Sequence, residues 1–195
     1  METFHSLQGE GHHTGRSAFF IRLAGCDVGC PWCDTKHSWP QSVHPERRAE
    51  QLALDAEKAA QDGACFTVIT GGEPLQHNLD TLTDALSDTA LPKHLETSGV
   101  GSLSGRFEWI TLSPKAHKPP QNDIVQRCNE LKVVVHNPSD LSFAETMANR
   151  TQEGTILLLQ PGWRSEQGMR LAIDYVQQHQ NWRLSLQTHK WLEIR

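Results

Sequence analysis

Apolar positions along the chain follow two rhythms. Short runs rich in β-branched and aromatic residues occur at Ser17–Leu23, Cys65–Thr70, Lys93–Thr97, Trp109–Leu112, Leu131–His136 and Thr155–Gln160, with a weaker run at Arg183–Gln187, and these read as strands. Between several of them, Pro45–Gln61, Leu79–Ser87, Ser139–Met147 and Glu166–Gln178 read as helices. Alternation of this kind predicts parallel strands joined by crossover helices. A closed eight-fold barrel takes about 250 residues, more than the 195 present, so the economical architecture is an open, partial α/β barrel of the (β/α)6 type. Between Gly99 and Glu130, Pro114, Pro119 and Pro120 interrupt the pattern and predict crossovers reduced to loops. Pro138 marks the entry to the third helix, and Ser139 with Asp140 is expected to cap it. In the first strand, alternation sets Phe19, Ile21 and Leu23 on one face and Phe20 with Arg22 on the other. Arg22 therefore needs a partner, either a ligand carboxylate or an internal glutamate such as Glu73 or Glu96.

Composition narrows the classes. Net charge is -5 and Lys and Arg are scattered without a basic block, which gives no case for nucleic-acid binding. The longest apolar runs, such as Ile156–Leu159, are too short for a membrane span, and Met1–Phe4 has neither the basic nor the apolar stretch of a secretory signal. Five cysteines, an odd number with three clustered, argue against a disulfide framework and for a reducing compartment, the cytoplasm. Cys65, inside a predicted strand, is expected to be a buried thiol, and Cys128 an ordinary one.

The clustered three carry the chemistry. Cys26, Cys30 and Cys33 are spaced C-x3-C-x2-C within a single loop. Thiolates suit iron, and a cubane cluster has four irons, so three thiolates leave one iron open to chelate a small molecule. A tetrahedral zinc is the alternative, with His37 as fourth ligand. Downstream, Thr70-Gly71-Gly72-Glu73-Pro74 follows an apolar strand, and its glycines let the backbone approach a ligand closely. In α/β sheets chemistry gathers at the carboxyl edge. The cysteine loop, the glycine turn, Glu96–Gly99, Ser113–Lys115, His136-Asn137 and Gln160–Trp163 all fall there, so one cleft could collect them.

Taken together, these two motifs resemble those of the radical S-adenosylmethionine (SAM) enzymes. The flanking residues Ser6–Gly11, Gly15, Ala18–Gly25 and the Cys33-Asp34-Thr35 that closes the loop resemble the 7-carboxy-7-deazaguanine synthase family, and the likeness runs from Phe4 to Gln187–Lys190. The resemblance implies a single radical SAM domain over residues 1–195. It implies a lyase that converts 6-carboxy-5,6,7,8-tetrahydropterin to 7-carboxy-7-deazaguanine with loss of ammonia, on the route to queuosine and related deazapurines. The cofactors it implies are a 4Fe-4S cluster on Cys26, Cys30 and Cys33, SAM, and Mg2+ at Thr35. A reductant such as flavodoxin and a homodimer are implied as partners, and the cofactor radical, not a side chain, is expected to abstract the hydrogen.

For SAM the resemblance implies Trp32, Asp34, Gly72, Glu73, Ser98, Ser113, Pro114, Lys115, Gln160, Pro161, Gly162 and Trp163. For the substrate it implies Leu7, Gln8, Gly9, Glu10, Arg22, Thr70, His189 and Arg195, the last two on a tail that folds over the pocket. The chemistry of several is suitable: a glutamine and a carboxylate match an amino-pyrimidinone edge, and a guanidinium can clasp a carboxylate with two parallel bonds. Mg2+ draws only one or two oxygens from protein, so a lone threonine hydroxyl is a sufficient anchor. Two rivals remain open on sequence alone. One is a radical SAM activase of glycyl-radical enzymes; the other is a non-catalytic zinc-binding module.

Overall fold

The computed structural model describes residues 2–195. Eight strands form one sheet in sequence order: β1 (Glu2–Leu7), β2 (Ser17–Leu23), β3 (Thr67–Gly71), β4 (Lys93–Thr97), β5 (Trp109–Leu112), β6 (Glu130–Val135), β7 (Ile156–Pro161) and β8 (Trp182–Leu184). β1 runs antiparallel to β2, and every later pair is parallel. The two edge strands do not pair with each other, so this is an open α/β sheet and not a closed barrel. The helices are α1 (Ala49–Gln61), α2 (Asp80–Leu86), α3 (Asn122–Arg127), α4 (Pro138–Ala148), α5 (Glu166–Gln178) and α6 (Thr188–Trp191). Among the described residues no helix is long and apolar enough to cross a membrane.

Strand alternation divides the apolar residues between two cores. Phe19, Ile21, Ile69, Leu95, Leu112 and Leu131 face the helices in the larger one, joined by Leu52, Ala56 and Ala59 from a single face of α1. Each large aliphatic side chain buried there contributes about 1.5–3 kcal/mol relative to exposure. The smaller core, Ala18, Phe20, Phe66 and Val68 with Phe4, fills the concave side of the sheet. Below it the β1–β2 turn tucks His13 within 4.7 Å of the His94 ring and 4.5 Å of the Trp109 ring, closing the amino end of the interior. His12, stacked 5.4 Å from the Trp109 ring, and His13 are thus parts of an aromatic floor.

The structure corrects several expectations. Gly99–Glu130 does hold a helix, α3, whose six residues bury only Ile124 and Val125. So short an element directly after Pro119-Pro120 shows too little periodicity to be read. The loop-only crossover is the one between β4 and β5. The cap of α4 is Asn137, whose side chain accepts from Ser139 N at 3.0 Å, with Asp140 completing a capping box; Ser139 is not the cap. α1 begins at Ala49, because Arg48 is still extended. Cys65 is exposed, since β3 starts only at Thr67, whereas Cys128 is buried.

Candidate active site

Parallel strands all present their carboxyl ends to one side, and there a cavity of about 540 Å3 opens. At one end Cys26, Cys30 and Cys33 border it, Cys30 buried and the other two half-buried. Burial pushes the Cys26 and Cys30 thiols up, so a metal is needed to hold them as thiolates. Gly72 lies flat on the cysteine loop: a Cβ there would stand 2.2 Å from the Gly25 carbonyl oxygen and 2.8 Å from Cys26 Cβ. His37 is exposed, and among the described residues no three His, Cys, Asp or Glu side chains gather as ligands of one ion. Three free thiols from one loop border one cavity, the donor set by which three thiolates each bind a different iron. The donor set therefore fits a cubane cluster. Thr35 Oγ1, 3.5 Å from Cys33 Sγ, borders the same cavity as an oxygen ligand of the kind Mg2+ takes.

Most residues expected around SAM border the same cavity, with differences in what their side chains do. Trp32 is exposed and packs 5.3 Å from the His136 ring. Asp34 is held by Lys190 at 2.5 Å. The Glu73 carboxylate is fully buried and spent inside the protein, accepting from Leu75 N at 3.0 Å, Ser98 N at 2.8 Å and the Thr97 and Ser98 hydroxyls. Lys115 folds back onto the Ser113 carbonyl and hydroxyl, both at 2.8 Å. Gly162 and Trp163 line the cavity; Pro114 and Pro161 do not.

At the other end a polar chain crosses the cavity. Gln8 Nε2 donates to Glu96 Oε1 at 2.9 Å, and Thr70 donates to Glu96 Oε2 at 3.0 Å. Gln8 Oε1 in turn accepts from Glu10 N at 3.1 Å. Glu10 takes Gln187 Nε2 at 2.8 Å on one oxygen, and Gln160 Nε2 at 3.1 Å with Lys132 Nζ on the other. Gln160 thus serves this end through its side chain. Burial would raise the Glu10 pKa, but the Lys132 charge and these three hydrogen bonds outweigh it and hold the group at about 2. Arg22 pairs with Glu2 at 2.9 Å, not with Glu73 or Glu96, and its guanidinium lies 5.3 Å from the Phe4 ring. Both partners come from β1, a strand absent from the sequence reading.

The chain's last residues bridge the open side of the sheet. Thr188 N donates to the Gly9 carbonyl at 2.8 Å, Ser6 Oγ to the Arg195 carbonyl at 2.7 Å, and the Arg195 guanidinium pairs with Glu2. Gly9 is where a side chain cannot fit, since its Cβ would meet His189 Nδ1 at 2.2 Å. Leu7, Gly9, His189 and Arg195 all border the cavity. Sequence reasoning missed Lys132 and gave Gln187 no role, while Glu96 and His136 were placed at the cleft without their partners. A lone charge on one face of a predicted strand was the available signal for Lys132.

A parallel α/β sheet with three thiols on the loop after β2, and a glycine turn pressed against that loop, defines a radical SAM enzyme that uses a 4Fe-4S cluster. Comparison with known proteins narrows this. No family model matches the chain. It is 50% identical over 217 residues to the 7-carboxy-7-deazaguanine synthase of Prochlorococcus marinus, covering 100% of this chain and 96% of that one. It is 36% identical to the Escherichia coli K12 protein of the same name over 217 residues, covering 99% and 97%. The chain belongs to the 7-carboxy-7-deazaguanine synthase family. The crystal structure of QueE from Escherichia coli superposes with a TM-score of 0.82 at 36% identity, over 96% of this chain and 92% of that one. Streptococcus suis SuiB bound to S-adenosylmethionine shares the fold alone, with a TM-score of 0.58 at 12% identity over 86% of this chain and 49% of that one.

Proposed function

We propose that this chain, acting as one catalytic domain, converts 6-carboxy-5,6,7,8-tetrahydropterin to 7-carboxy-7-deazaguanine with loss of ammonia. The observation that carries the reading is a single cavity with three thiols at one end and, at the other, acceptor carboxylates beside an arginine. Cys26, Cys30 and Cys33 would hold a 4Fe-4S cluster, which together with SAM would supply hydrogen-atom abstraction.

The chain's own part is binding, orientation and exclusion of water. Arg22 spends one nitrogen on Glu2 and keeps donors for a substrate carboxylate. Glu10 and Glu96 accept from the N–H groups of the heterocycle, with Gln8 fixed between them. Thr35 would offer its hydroxyl to Mg2+, a hard ion that takes oxygen ligands. Trp32, Ser98, Ser113, Lys115, Gly162 and Trp163 flank the nucleoside, and the Gly72 backbone approaches the cofactor. His189 and Arg195, on the tail that bridges the sheet, cover the substrate. The reading extends to a one-electron donor such as flavodoxin, a homodimer, and the cytoplasm; five unpaired cysteines support the last.

The test is anaerobic incubation of reconstituted protein with SAM, dithionite, Mg2+ and the carboxy-tetrahydropterin. Deazaguanine product is expected from the single chain without a second protein, which separates this reading from a glycyl-radical activase. Cys30→Ala should lose both the visible absorbance of the cluster and turnover. Full activity in that variant overturns the reading.

A further inference from the structure

We infer that Lys132 is a positioning residue, which locks the Glu10 carboxylate in place as a fixed acceptor for the N–H edge of the bound heterocycle. The inference rests on the reading that Glu10 contacts substrate. Along β6, Leu131, Val133 and Val135 point into the large core, which sets Lys132 on the concave face. A lysine in mid-sheet with only 6% of its side chain exposed is costly without a partner. Its ammonium pairs directly with Glu10, while Glu96 from β4 and Glu130 from β6 add negative charge around it. Lys115, from the loop after β5, adds positive charge near the pair, and Arg22, Lys190 and Arg195 border the same cavity.

The geometry of Glu10 explains what the lysine does. A carboxylate has about four acceptor sites, and Lys132, Gln160 and Gln187 fill three of them from the protein side. What remains belongs to the cavity, which both Glu10 and Lys132 border. With Lys132 gone, burial is left as the main influence on Glu10 and drives its pKa upward. The acid would then gain a proton as pH falls, become a donor, and oppose the N–H groups it should receive. A lysine that merely held the fold together would not make binding pH-dependent in this way.

The experiment is calorimetric binding of the carboxy-tetrahydropterin to anaerobic, cluster-loaded protein with SAM and Mg2+, unreduced, between pH 8 and pH 5.5. Lys132→Met should bind about tenfold more weakly than wild type at pH 8, with a further loss toward pH 5.5 that wild type lacks. Lys132→Arg should recover most of the affinity and the flat profile. Glu10→Gln should bind weakly at every pH. Wild-type affinity and slope in Lys132→Met, with Glu10→Gln weak, overturns the inference and leaves the Glu10 reading standing. Wild-type binding by Glu10→Gln overturns the Glu10 reading instead. Should Lys132→Met fail to fold, the uncharged pair Glu10→Gln/Lys132→Met decides. Affinity equal to Glu10→Gln alone supports the inference, and a further tenfold loss overturns it.

Discussion

Gly72 and Cys26 touch backbone to side chain: the position where Gly72 would carry a Cβ lies 2.8 Å from Cys26 Cβ. The glycine turn and the cysteine loop are therefore one rigid unit, with Glu73 N bonded to the Gly25 carbonyl at 2.8 Å. Gly72→Ala must push the loop aside, at a cost of about 1–3 kcal/mol of overpacking. Iron and sulfide bound per chain after reconstitution should fall, with a lower melting temperature. A variant that binds its full complement of iron shows that the contact is not needed.

Glu73 is a structural anion in a functional motif. Its oxygens receive four protein donors, two of them from Ser98, and so fix the end of β4 against the turn after β3. Glu73→Gln replaces acceptor by donor opposite those groups and should cost about 2–3 kcal/mol. At about 2–4 °C per kcal/mol for a chain of this size, the thermal midpoint should drop by several degrees even without cofactors. An unchanged midpoint would mean the network carries no stability.

Closure of the tail depends on Gly9. Because His189 Nδ1 occupies the space a Cβ would need, Gly9→Ala should displace His189 and loosen the bond from Thr188 N to the Gly9 carbonyl. Substrate KM is expected to rise about tenfold, equivalent to about 1.4 kcal/mol, with iron binding intact. Equal KM values in the two proteins would rule out a role for this contact in substrate retention.

Acid should attack the aromatic floor. Burial, then the charges of Arg16 and His12, hold His13 at about 4, and burial, then His13 and Arg16, hold His94 at about 3, both below the ordinary 6.5. The unfolded chain therefore binds more protons between those values, so this stability is present above pH 6.5 and is lost as pH falls toward 4 and then 3. Denaturant midpoints at several pH values should show it. His94→Phe should flatten the slope relative to wild type, and parallel slopes would exclude His94 as its source.

What the residues alone determined is local. The C-x3-C-x2-C run, the Thr70–Pro74 turn and the alternation in Ser17–Leu23 each depend on neighbours within a few positions, and so does the run of parallel strands with helical crossovers. What only the tertiary structure decided is pairing at a distance. Glu2 meets Arg22 because β1 pairs with β2, and Arg195 reaches the same carboxylate from the far end of the chain. Lys132 meets Glu10, and Gln160 turns to Glu10, because a curled parallel sheet gathers strand ends that are more than 100 positions apart. Sequence periodicity records which face a residue takes; it carries no term for which other charge will share that face, because burial penalises any unpaired ion equally.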